Sequence, residues 1–254
     1  MEIIEIKDLS FCYPDSDRLI LNNINLKINT GDFLLLCGES GCGKTTLLRH
    51  LKEELTPYGN VKGFVVNKGV NVGYVMQDPD SQIVTDKVWH ELAFGLENLG
   101  VKSDEIKLRC SEVAAFFGIN SWYHKNTYEL SGGQKQLLNL ASVLVMKPDV
   151  IVLDEPLSQL DPLASAEFVG AIARINSELG IAVVMSEHNL NEVMTFAKRV
   201  VVMDNGSIIA EDKPQSIMAK LREKSHPMQV AMPIRLAPSR RANSMISSTL
   251  VISQ

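Results

Sequence analysis

The stretch Gly38-Glu39-Ser40-Gly41-Cys42-Gly43-Lys44-Thr45 decides the fold that we predict for this chain. It matches the pattern G-x-x-x-x-G-K-[ST] and lies between a predicted strand, residues 33–37, and a predicted helix that begins at Lys44. Glycines let the main chain curl until consecutive N–H groups face one anion, and the helix N-terminus adds partial positive charge. This order of strand, loop and helix predicts the phosphate-binding loop of an NTPase, in preference to a glycine-rich turn without function.

The pattern also assigns roles to the residues of the loop. We expect Lys44 to reach the β- and γ-phosphates, Thr45 to place its hydroxyl on Mg²⁺, and Thr46 to donate to a phosphate oxygen. The other predicted nucleotide-binding positions are Gly38, Ser40, Gly41, Cys42 and Gly43. Two interpretations stay open for Cys42: a passive small residue, which we favour, and a thiol whose alkylation blocks nucleotide binding.

A pair of acids follows another apolar run, Val150-Ile151-Val152-Leu153. Because the carboxyl ends of parallel strands border the ligand crevice, Asp154 and Glu155 are predicted to lie beside the phosphate loop. Asp154 is expected to hold Mg²⁺ directly or through water, and Glu155 to polarise the attacking water. A strand capped by solvated acids is the alternative, and the phosphate loop in the same chain argues against it.

The order of the predicted elements indicates an α/β fold. Strands are predicted at residues 3–7, 24–28, 33–37, 61–66 and 72–76, and a helical insert at 86–118. After residue 131 a helix, a strand at 150–153, a helix at 162–179, a strand at 181–185, a further helix and a strand at 199–203 follow one another. Such alternation predicts a parallel sheet covered by helices. Asn205-Gly206 is predicted to form a tight hairpin turn after the last of these strands.

Composition excludes several other classes of protein. The 254 residues include 25 basic and 30 acidic side chains, a net charge of -5, so no excess of positive charge indicates nucleic acid as the main partner. Four scattered cysteines without a C-x-x-C pair argue against a zinc site or a disulfide framework and suit a reducing cytosol. The N-terminus does not resemble a secretory signal, and no apolar run approaches the roughly 18–20 residues that cross a bilayer. We therefore expect any connection to a membrane to run through another protein.

A second glycine-rich turn, Leu130-Ser131-Gly132-Gly133-Gln134, opens another predicted helix. It makes a second anion-binding surface in a chain with one nucleotide loop, so it needs a phosphate from elsewhere. With this unaltered L-S-G-G-Q motif upstream of Asp154-Glu155, the sequence resembles the ABC ATPase family over roughly residues 2–222. In that family two cassettes pair head to tail, and each ATP lies between the loop of one and the L-S-G-G-Q of the other. The resemblance implies that Ser131, Gly133 and Gln134 contact ATP bound to a partner cassette.

The resemblance implies roles for four further residues, of which Gln77 and His188 join Lys44 and Glu155 as predicted catalytic residues, and Gln77 also joins Thr45 and Asp154 as a predicted metal ligand. Tyr13 matches the aromatic residue that stacks on adenine, and Gln77 the glutamine that senses Mg²⁺ and water and couples to the membrane subunit. Asp161 matches the loop that joins the two sites, and His188 the histidine that contacts the γ-phosphate. From sequence alone, an aromatic residue beside a strand is more often part of the core, and a lone histidine is more often structural or solvated, but the position of His188 after a parallel strand favours a role at the site.

The family resemblance also implies the domain organisation. It predicts a RecA-like parallel sheet with an N-terminal antiparallel β part and a small inserted helical subdomain. We place the nucleotide-binding domain at residues 1–224, its helical subdomain at about 79–147, and a tail or linker at 225–254. About fifty residues separate Gln77 from Leu130, too few for the long coiled-coil arm of repair and chromosome ATPases.

The segment from Gln77 to Val84, followed by Glu91 to Gly100, is similar to energy-coupling factor importers and to cobalt and nickel ATPases. This resemblance implies an ATP- and Mg²⁺-dependent motor that drives uptake of a vitamin or a transition-metal ion. Its partners would be a second ABC ATPase subunit, a transmembrane coupling protein and a substrate-binding membrane protein, at the cytoplasmic face of the cell membrane. Leu137 and Leu157-Ser158-Gln159 depart from the family pattern and leave the exact subfamily open.

Two other functions share the same motifs. A soluble ABC regulator that acts on ribosomes or nucleic acid would usually carry two cassettes and basic elements, which this sequence lacks. A scaffold half that does not hydrolyse ATP is argued against by Glu155 and His188. The sequence leaves open the cargo, the direction of transport, the role of the tail, and the choice between a homodimer, a heterodimer and half of a tandem chain.

Overall fold

The computed structural model describes residues 1–14, 16–188 and 190–223. Its strands are β1 (Glu2–Cys12), β2 (Leu21–Asn29), β3 (Phe33–Gly38), β4 (Asn60–Asn67), β5 (Val72–Val75), β6 (Val150–Asp154), β7 (Ala182–Ser186), β8 (Arg199–Asp204) and β9 (Ser207–Asp212). Its helices are α1 (Lys44–Arg49), α2 (Val88–Asn98), α3 (Ser103–Phe117), α4 (Gly132–Leu144), α5 (Pro162–Glu178), α6 (Leu190–Val193) and α7 (Pro214–Glu223). The predicted tail, residues 225–254, lies outside the described residues.

The larger sheet has the strand order β5-β6-β7-β3-β8-β9, in which only the last pair, β8 and β9, is antiparallel. Strands β3, β6 and β7 are buried along their whole length, as expected of parallel strands covered on both faces. Alternate residues of β3 face opposite sides, so Leu34 and Leu36 join one hydrophobic core while Leu35 joins the other. The predicted α/β class is therefore confirmed.

A smaller antiparallel sheet, β2-β1-β4, covers one face of the larger one. Helix α1 is buried in the core between the two sheets through Leu47 and Leu48. Helices α2 to α5 cover the opposite face and enclose the second core. The phosphate loop thus leads from the central strand β3 into a helix between two sheets, which fixes the position of the loop.

The helical insert consists of three helices between β5 and β6. The predicted helical stretch 86–118 is divided at Gly100, whose φ is 67°, into α2 and α3. Helix α3 ends at Phe117 and is followed by Gly118, which has a left-handed conformation typical of a helix C-terminus. Helix α4 follows and packs against both of them. The predicted boundaries at 1–224 and 79–147 remain predictions.

The helix that the sequence predicts between β7 and β8, without fixed bounds, is present as the short α6. Among the residues described in this segment, the four of α6 are helical, although Leu190, Val193, Met194 and Ala197 are all buried at helical spacing. The apolar pattern therefore marks the buried face correctly, but it does not fix where the helix ends. Among the residues that the structure describes, no helix combines the length and the apolar run needed to cross a membrane.

The predicted hairpin turn at Asn205-Gly206 is confirmed. Both residues have positive φ, 43° and 78°, which is the signature of the type I′ turn that matches the twist of two paired strands. The amide of Gly206 donates to the carbonyl of Cys42 at 3.1 Å, and its carbonyl accepts from Asn22 at 2.8 Å. The hairpin therefore contacts the phosphate loop at Cys42 and helps to fix the position of the loop.

A substitution at this turn separates two physical effects. A Cβ atom on Gly206 would lie 2.6 Å from the carbonyl oxygen of Ile20, whereas one on Gly180, whose φ is also positive, would meet nothing within 4 Å. We expect Gly180→Ala to lower the free energy of unfolding by about 1 kcal/mol and Gly206→Ala by about 1–3 kcal/mol more. Urea unfolding of both variants measures the difference, and equal losses would contradict the close approach.

Candidate functional site

The phosphate loop follows β3 and ends at the first residue of α1. Gly41 and Gly43 have φ values of 78° and 104°, a region that side chains rarely adopt. A Cβ atom on Gly38 would lie 2.3 Å from the carbonyl oxygen of Met203, and one on Gly43 would lie 2.7 Å from that of Ile20. The glycines of the motif are therefore needed for both conformation and space.

Lys44 is buried in the middle of this loop. Its Nζ donates to the carbonyl oxygens of Gly38 at 3.0 Å and Glu39 at 3.2 Å, and it lies 3.5 Å from Oε1 of Glu155. The loop therefore curls around one ammonium group, whose three N–H donors suit phosphate oxygens equally well. Ser40 and Gly41 are exposed at the rim, and Thr46 is buried at the start of α1.

Cys42 is buried, and burial raises the pKa of its thiol. A raised pKa keeps the group in the thiol form near neutral pH, and the thiolate is the form that reacts with alkylating reagents. The structure therefore favours the passive interpretation of Cys42 over the alkylation-sensitive one.

Asp154, at the end of β6, is buried and accepts three hydrogen bonds. Its Oδ1 accepts from the hydroxyls of Thr45 at 3.1 Å and Ser186 at 2.9 Å, and its Oδ2 accepts from the hydroxyl of Tyr74 at 3.2 Å. Burial raises the pKa of Tyr74, and the nearby carboxylate of Asp154 raises it further. The hydroxyl of Tyr74 therefore keeps its proton and donates. The structure thus brings together Thr45 and Asp154, two of the three residues that were predicted to hold a metal ion, while the third, Gln77, contacts Glu155.

These oxygen donors suit Mg²⁺. Among the described residues, no group of three or more His, Cys, Asp or Glu side chains could hold a metal ion. Mg²⁺ is commonly bound by one or two protein oxygens and takes its other ligands from substrate phosphates and water. The pair Thr45 and Asp154 beside a phosphate loop fits that pattern.

Glu155 lies at the meeting point of three strand ends. Its Oε1 is 2.7 Å from Nε2 of His188, after β7, and its Oε2 accepts from Nε2 of Gln77, after β5, at 3.4 Å. With Lys44 at 3.5 Å, three nitrogen groups surround one carboxylate. The structure therefore places all four residues that were predicted to be catalytic within one cluster.

The main chain at Glu155 is strained, with φ at 45° in a residue other than glycine. Its amide donates to the carbonyl of Ser186 at 3.1 Å and to the hydroxyl of the same residue at 3.0 Å. Two residues further on, the amide of Leu157 donates to Oε1 of Glu187 at 2.9 Å. Ser186 and Glu187 therefore hold the turn that aims Glu155 at the phosphate loop.

Sequence reasoning gave no role to Tyr74, Ser186 or Glu187. Glu187 is buried, and burial raises its pKa to about 7, with smaller contributions from the nearby carboxylates of Glu155 and Glu192. The available signal was the position of each residue at or next to the end of β5 or β7. That signal becomes usable only when these strands are known to flank β6.

The turn 131–134 is stabilised by hydrogen bonds between its own first and last residues. Ser131 caps α4, its Oγ accepts from the amide of Gln134 at 3.3 Å, and Oε1 of Gln134 accepts from the amide of Ser131 at 3.0 Å. A Cβ atom on Gly133 would lie 2.8 Å from Cβ of Ala164 in α5. Within the part of the chain that the structure describes, no hydrogen bond or ion pair joins this turn to the phosphate loop. The structure therefore leaves the predicted contact with ATP of a partner cassette untested.

Asp161 and Tyr13 occupy peripheral positions. Asp161 caps α5 by accepting from the amides of Leu163 and Ala164, both at 2.9 Å. Tyr13 is 40% exposed and packs edge-on against the buried Phe11, with 5.0 Å between ring centroids. Its exposure argues against the core interpretation and leaves one ring face available for stacking.

The loop, the carboxylates at strand ends and the parallel sheet define a phosphate-loop NTPase. The family model described as ABC transporter matches residues 21–158. A "Putative ABC transporter ATP-binding protein" of Bacillus anthracis is 46% identical, over 86% of this chain and 42% of the relative. One of the same description from Pyrococcus horikoshii is 40% identical, over 93% of this chain and 88% of the relative. The chain belongs to the ABC transporter ATP-binding family, in which ATPase activity is general.

Solved structures agree with this assignment. CbiO1 of Clostridium perfringens, described as part of the ABC transporter complex CbiONQ, is 29% identical with a TM-score of 0.78, and the match covers 92% of this chain and 97% of that one. A nucleotide-free ATP-binding cassette from an ABC transporter, at 22% identity and a TM-score of 0.76 over 91% and 98% of the two chains, shows the same fold. The chain spans 42% of the length of the Bacillus relatives that it matches.

The buried carboxyl of Glu187 predicts a pH dependence of stability. The ordinary pKa of a glutamate is 4.5, and burial raises the pKa of Glu187 in the folded chain to about 7, so between these values the folded state keeps a proton that the unfolded state has lost. The stabilisation from the neutral carboxyl is therefore complete below pH 4.5 and is lost as the pH rises through 7. Glu187→Gln cannot ionise, so its free energy of unfolding relative to the original chain should rise by about 2–3 kcal/mol over this range.

Glu187→Leu serves as the matched comparison, because it also cannot ionise but offers no oxygen to the amide of Leu157. Both variants should show the same pH slope, with Glu187→Leu less stable by a constant amount of about 1–3 kcal/mol. Denaturant unfolding at several pH values measures both quantities. A difference between Glu187→Gln and the original chain that does not change with pH would contradict the raised pKa.

Proposed function

We propose that this chain binds ATP with Mg²⁺ and hydrolyses it as the motor subunit of a membrane importer of the energy-coupling factor type, for a vitamin or a transition-metal ion. The observation that carries the ATPase part is the cluster of Lys44, Gln77 and His188 around the carboxylate of Glu155. A carboxylate between two hydrogen-bonding side chains and next to a phosphate-loop lysine has the components needed to activate water against a γ-phosphate.

Binding of ATP uses the loop and the two oxygen donors beside it. The ammonium of Lys44 would exchange the carbonyls of Gly38 and Glu39 for β- and γ-phosphate oxygens, while the loop amides face the same anion. Thr45 and Asp154 would hold Mg²⁺, which offsets phosphate charge. Tyr13 would stack on adenine with its exposed ring face.

In hydrolysis, Glu155 would act as the general base. The carboxylate accepts a proton from the attacking water, while Gln77 and His188, both within hydrogen-bond reach of that carboxylate, orient the water and the γ-phosphate. The turn held by Ser186 and Glu187 keeps the carboxylate aimed at the loop. Each group thus acts from the end of a different strand, and the sheet fixes their spacing.

Completion of the site would come from a second cassette. Ser131 and Gln134 are available on a surface turn, and the family resemblance assigns them, with Gly133, to the ATP of a partner. Asp161, at the start of α5, would lie in the segment that joins the two sites. The partner would be another copy, a related chain, or a second half of a longer chain, and relatives of more than twice this length have room for the last arrangement.

The membrane partners would dock near Gln77 and α2. Val84, Trp89 and Phe94 expose apolar surface there, with Trp89 stacked on His90 at 5.2 Å between ring centroids. The similarity to CbiO1, described as part of the complex CbiONQ, supports a transmembrane coupling protein and a substrate-binding membrane protein as partners. The chain would then lie at the cytoplasmic face of the cell membrane as a peripheral subunit, with no nucleic acid bound.

Substitution of the proposed base tests the hydrolysis step. Glu155→Gln keeps the size of the side chain and an oxygen for Nε2 of His188 but cannot accept a proton. We expect ATP hydrolysis to fall by about 10²-fold or more while ATP still binds. Lys44→Ala is the contrasting variant, since it should weaken ATP binding by about tenfold or more through loss of a charge-assisted contact. Steady-state phosphate release and equilibrium ATP binding measure the two effects, and undiminished hydrolysis by Glu155→Gln would refute its role.

Recovery of partners from native membranes tests the importer part. The tagged full chain, purified in mild detergent, should carry along a protein with several membrane-spanning helices. Replacing Trp89 and Phe94 together by Ala should reduce that recovery by at least about tenfold, because truncated aromatic anchors cost about 2 kcal/mol or more each at interfaces and about 1.4 kcal/mol already corresponds to tenfold in affinity. Tyr58→Ala, at an exposed aromatic outside this surface, is the control and should leave recovery unchanged. Recovery of ribosomal proteins instead would support the soluble regulator.

A further inference from the structure

The main chain on both sides of Gln77 is held by two amide side chains of α4. Nε2 of Gln136 donates to the carbonyl of Met76 at 3.4 Å, and Nδ2 of Asn139 donates to the carbonyl of Pro79 at 3.0 Å. Residues three apart lie on the same face of a helix, so the two amides reach the segment 76–79 side by side. Gln77 lies between the two points of attachment.

Both amides are fully buried, at 0% exposure. Each uses its N–H₂ group, but Oε1 of Gln136 and Oδ1 of Asn139 are buried and accept no hydrogen bond from the residues described. A buried acceptor without a partner costs about 1–3 kcal/mol. An apolar residue would avoid that cost but would remove the donors to the carbonyls of Met76 and Pro79, so what the two amides supply is a direct attachment of α4 to the segment around Gln77.

A third contact extends the attachment at the surface. Nζ of Lys135 lies 2.5 Å from Oδ1 of Asp80, an exposed ion pair that contributes little by itself. Inside the segment, Oε1 of Gln82 accepts from the amide of Met76 at 2.9 Å. The segment 76–82 therefore makes three polar contacts with α4 and contains a hydrogen bond of its own, between Gln82 and Met76.

Helix α4 begins at the turn of Ser131 and Gln134, and Asn139 lies about 12 Å further along the same helix, at about 1.5 Å per residue. Gln77, at the other end of the attachment, donates to Glu155. We infer that Gln136 and Asn139 are positioning residues that make α4 and the segment around Gln77 move as one body. A change at the γ-phosphate would then shift the 131–134 turn that faces the partner. This inference rests on the proposed function, because it needs ATP to bind beside Gln77.

The fluorescence of the tryptophans in this chain can report such a movement. Its two tryptophans, Trp89 in α2 and Trp122 after α3, both lie in the helical insert with α4. Trp122 belongs to the core that these helices share. Tryptophan fluorescence therefore responds to the helical insert, whereas the binding of ATP can be measured separately by equilibrium dialysis.

The experiment adds ATP and Mg²⁺ to the full chain and records both signals. For Asn139→Ala and Gln136→Leu we expect the fluorescence change at saturating ATP to fall by about twofold or more, with ATP affinity unchanged within about twofold. Gln77→Ala should also lose the change, and adding Asn139→Ala to it should remove nothing further, since both act through one segment. If Asn139→Ala fails to fold, Gln136→Leu still tests the inference.

Asn176 on α5 provides a matched control. It is buried, and its Nδ2 donates to the carbonyls of Gly31, Asp32 and Ile181, away from Gln77. Asn176→Ala should lower the melting temperature but leave the fluorescence response complete. A loss of response in this control would show that any weakened core gives the same result, and it would overturn the inference.

Two further outcomes separate the inference from the proposed function. Full fluorescence responses in both Asn139→Ala and Gln136→Leu, or an original chain that binds ATP without any response, would overturn the inference and leave ATP binding established. An original chain that binds no ATP would overturn the proposed function and, with it, the inference.

Discussion

The buried carboxylate of Asp154 joins the parts of this structure that the candidate site requires. A carboxylate removed from water needs hydrogen-bond partners, and here they come from Thr45 in α1, Tyr74 in β5 and Ser186 in β7. These partners fix β6 against both neighbouring strands and against the helix that follows the phosphate loop. The arrangement that satisfies one buried acid therefore also brings the loop and the strand ends together.

The same strand ends hold Glu155 in a conformation that it would not adopt freely. Its left-handed main chain costs about 1–3 kcal/mol and persists only where the surroundings determine it, here through Ser186 and the carboxyl of Glu187. Burial in turn raises the pKa of Glu187 to about 7, so this carboxyl keeps its proton at pH values where an ordinary glutamate has lost it. Stability is thus reduced at the residues that aim the carboxylate, which is the expected place for strain in a site that performs chemistry.

The motifs of the candidate site could be predicted from the sequence, whereas the residues that hold those motifs in position could not. The phosphate loop and Asp154-Glu155 were predictable because glycine spacing and a strand ending in two acids are local patterns. Tyr74, Ser186 and Glu187 were not, because their roles depend on the order β5-β6-β7, and periodicity does not give strand order. The short α6 has a similar cause: its apolar residues keep helical spacing, but tertiary packing decides where hydrogen bonding stops. Strand-end residues become predictable once the order is known.

The contacts of α4 connect the two halves of the proposed mechanism. The 131–134 turn pairs the amides of Ser131 and Gln134 internally and makes no hydrogen bond or ion pair with the phosphate loop within the described residues, so any link between the two within one chain runs through other residues. Gln136 and Asn139 join α4 to the main chain beside Gln77, and under our inference this attachment is that link. A helix held rigidly by buried amides transmits a displacement at one end to the other, because packed interiors move between discrete arrangements and do not deform gradually. Under the proposed function, nucleotide sensing at Glu155 and pairing at Ser131 are therefore two ends of one mechanical element.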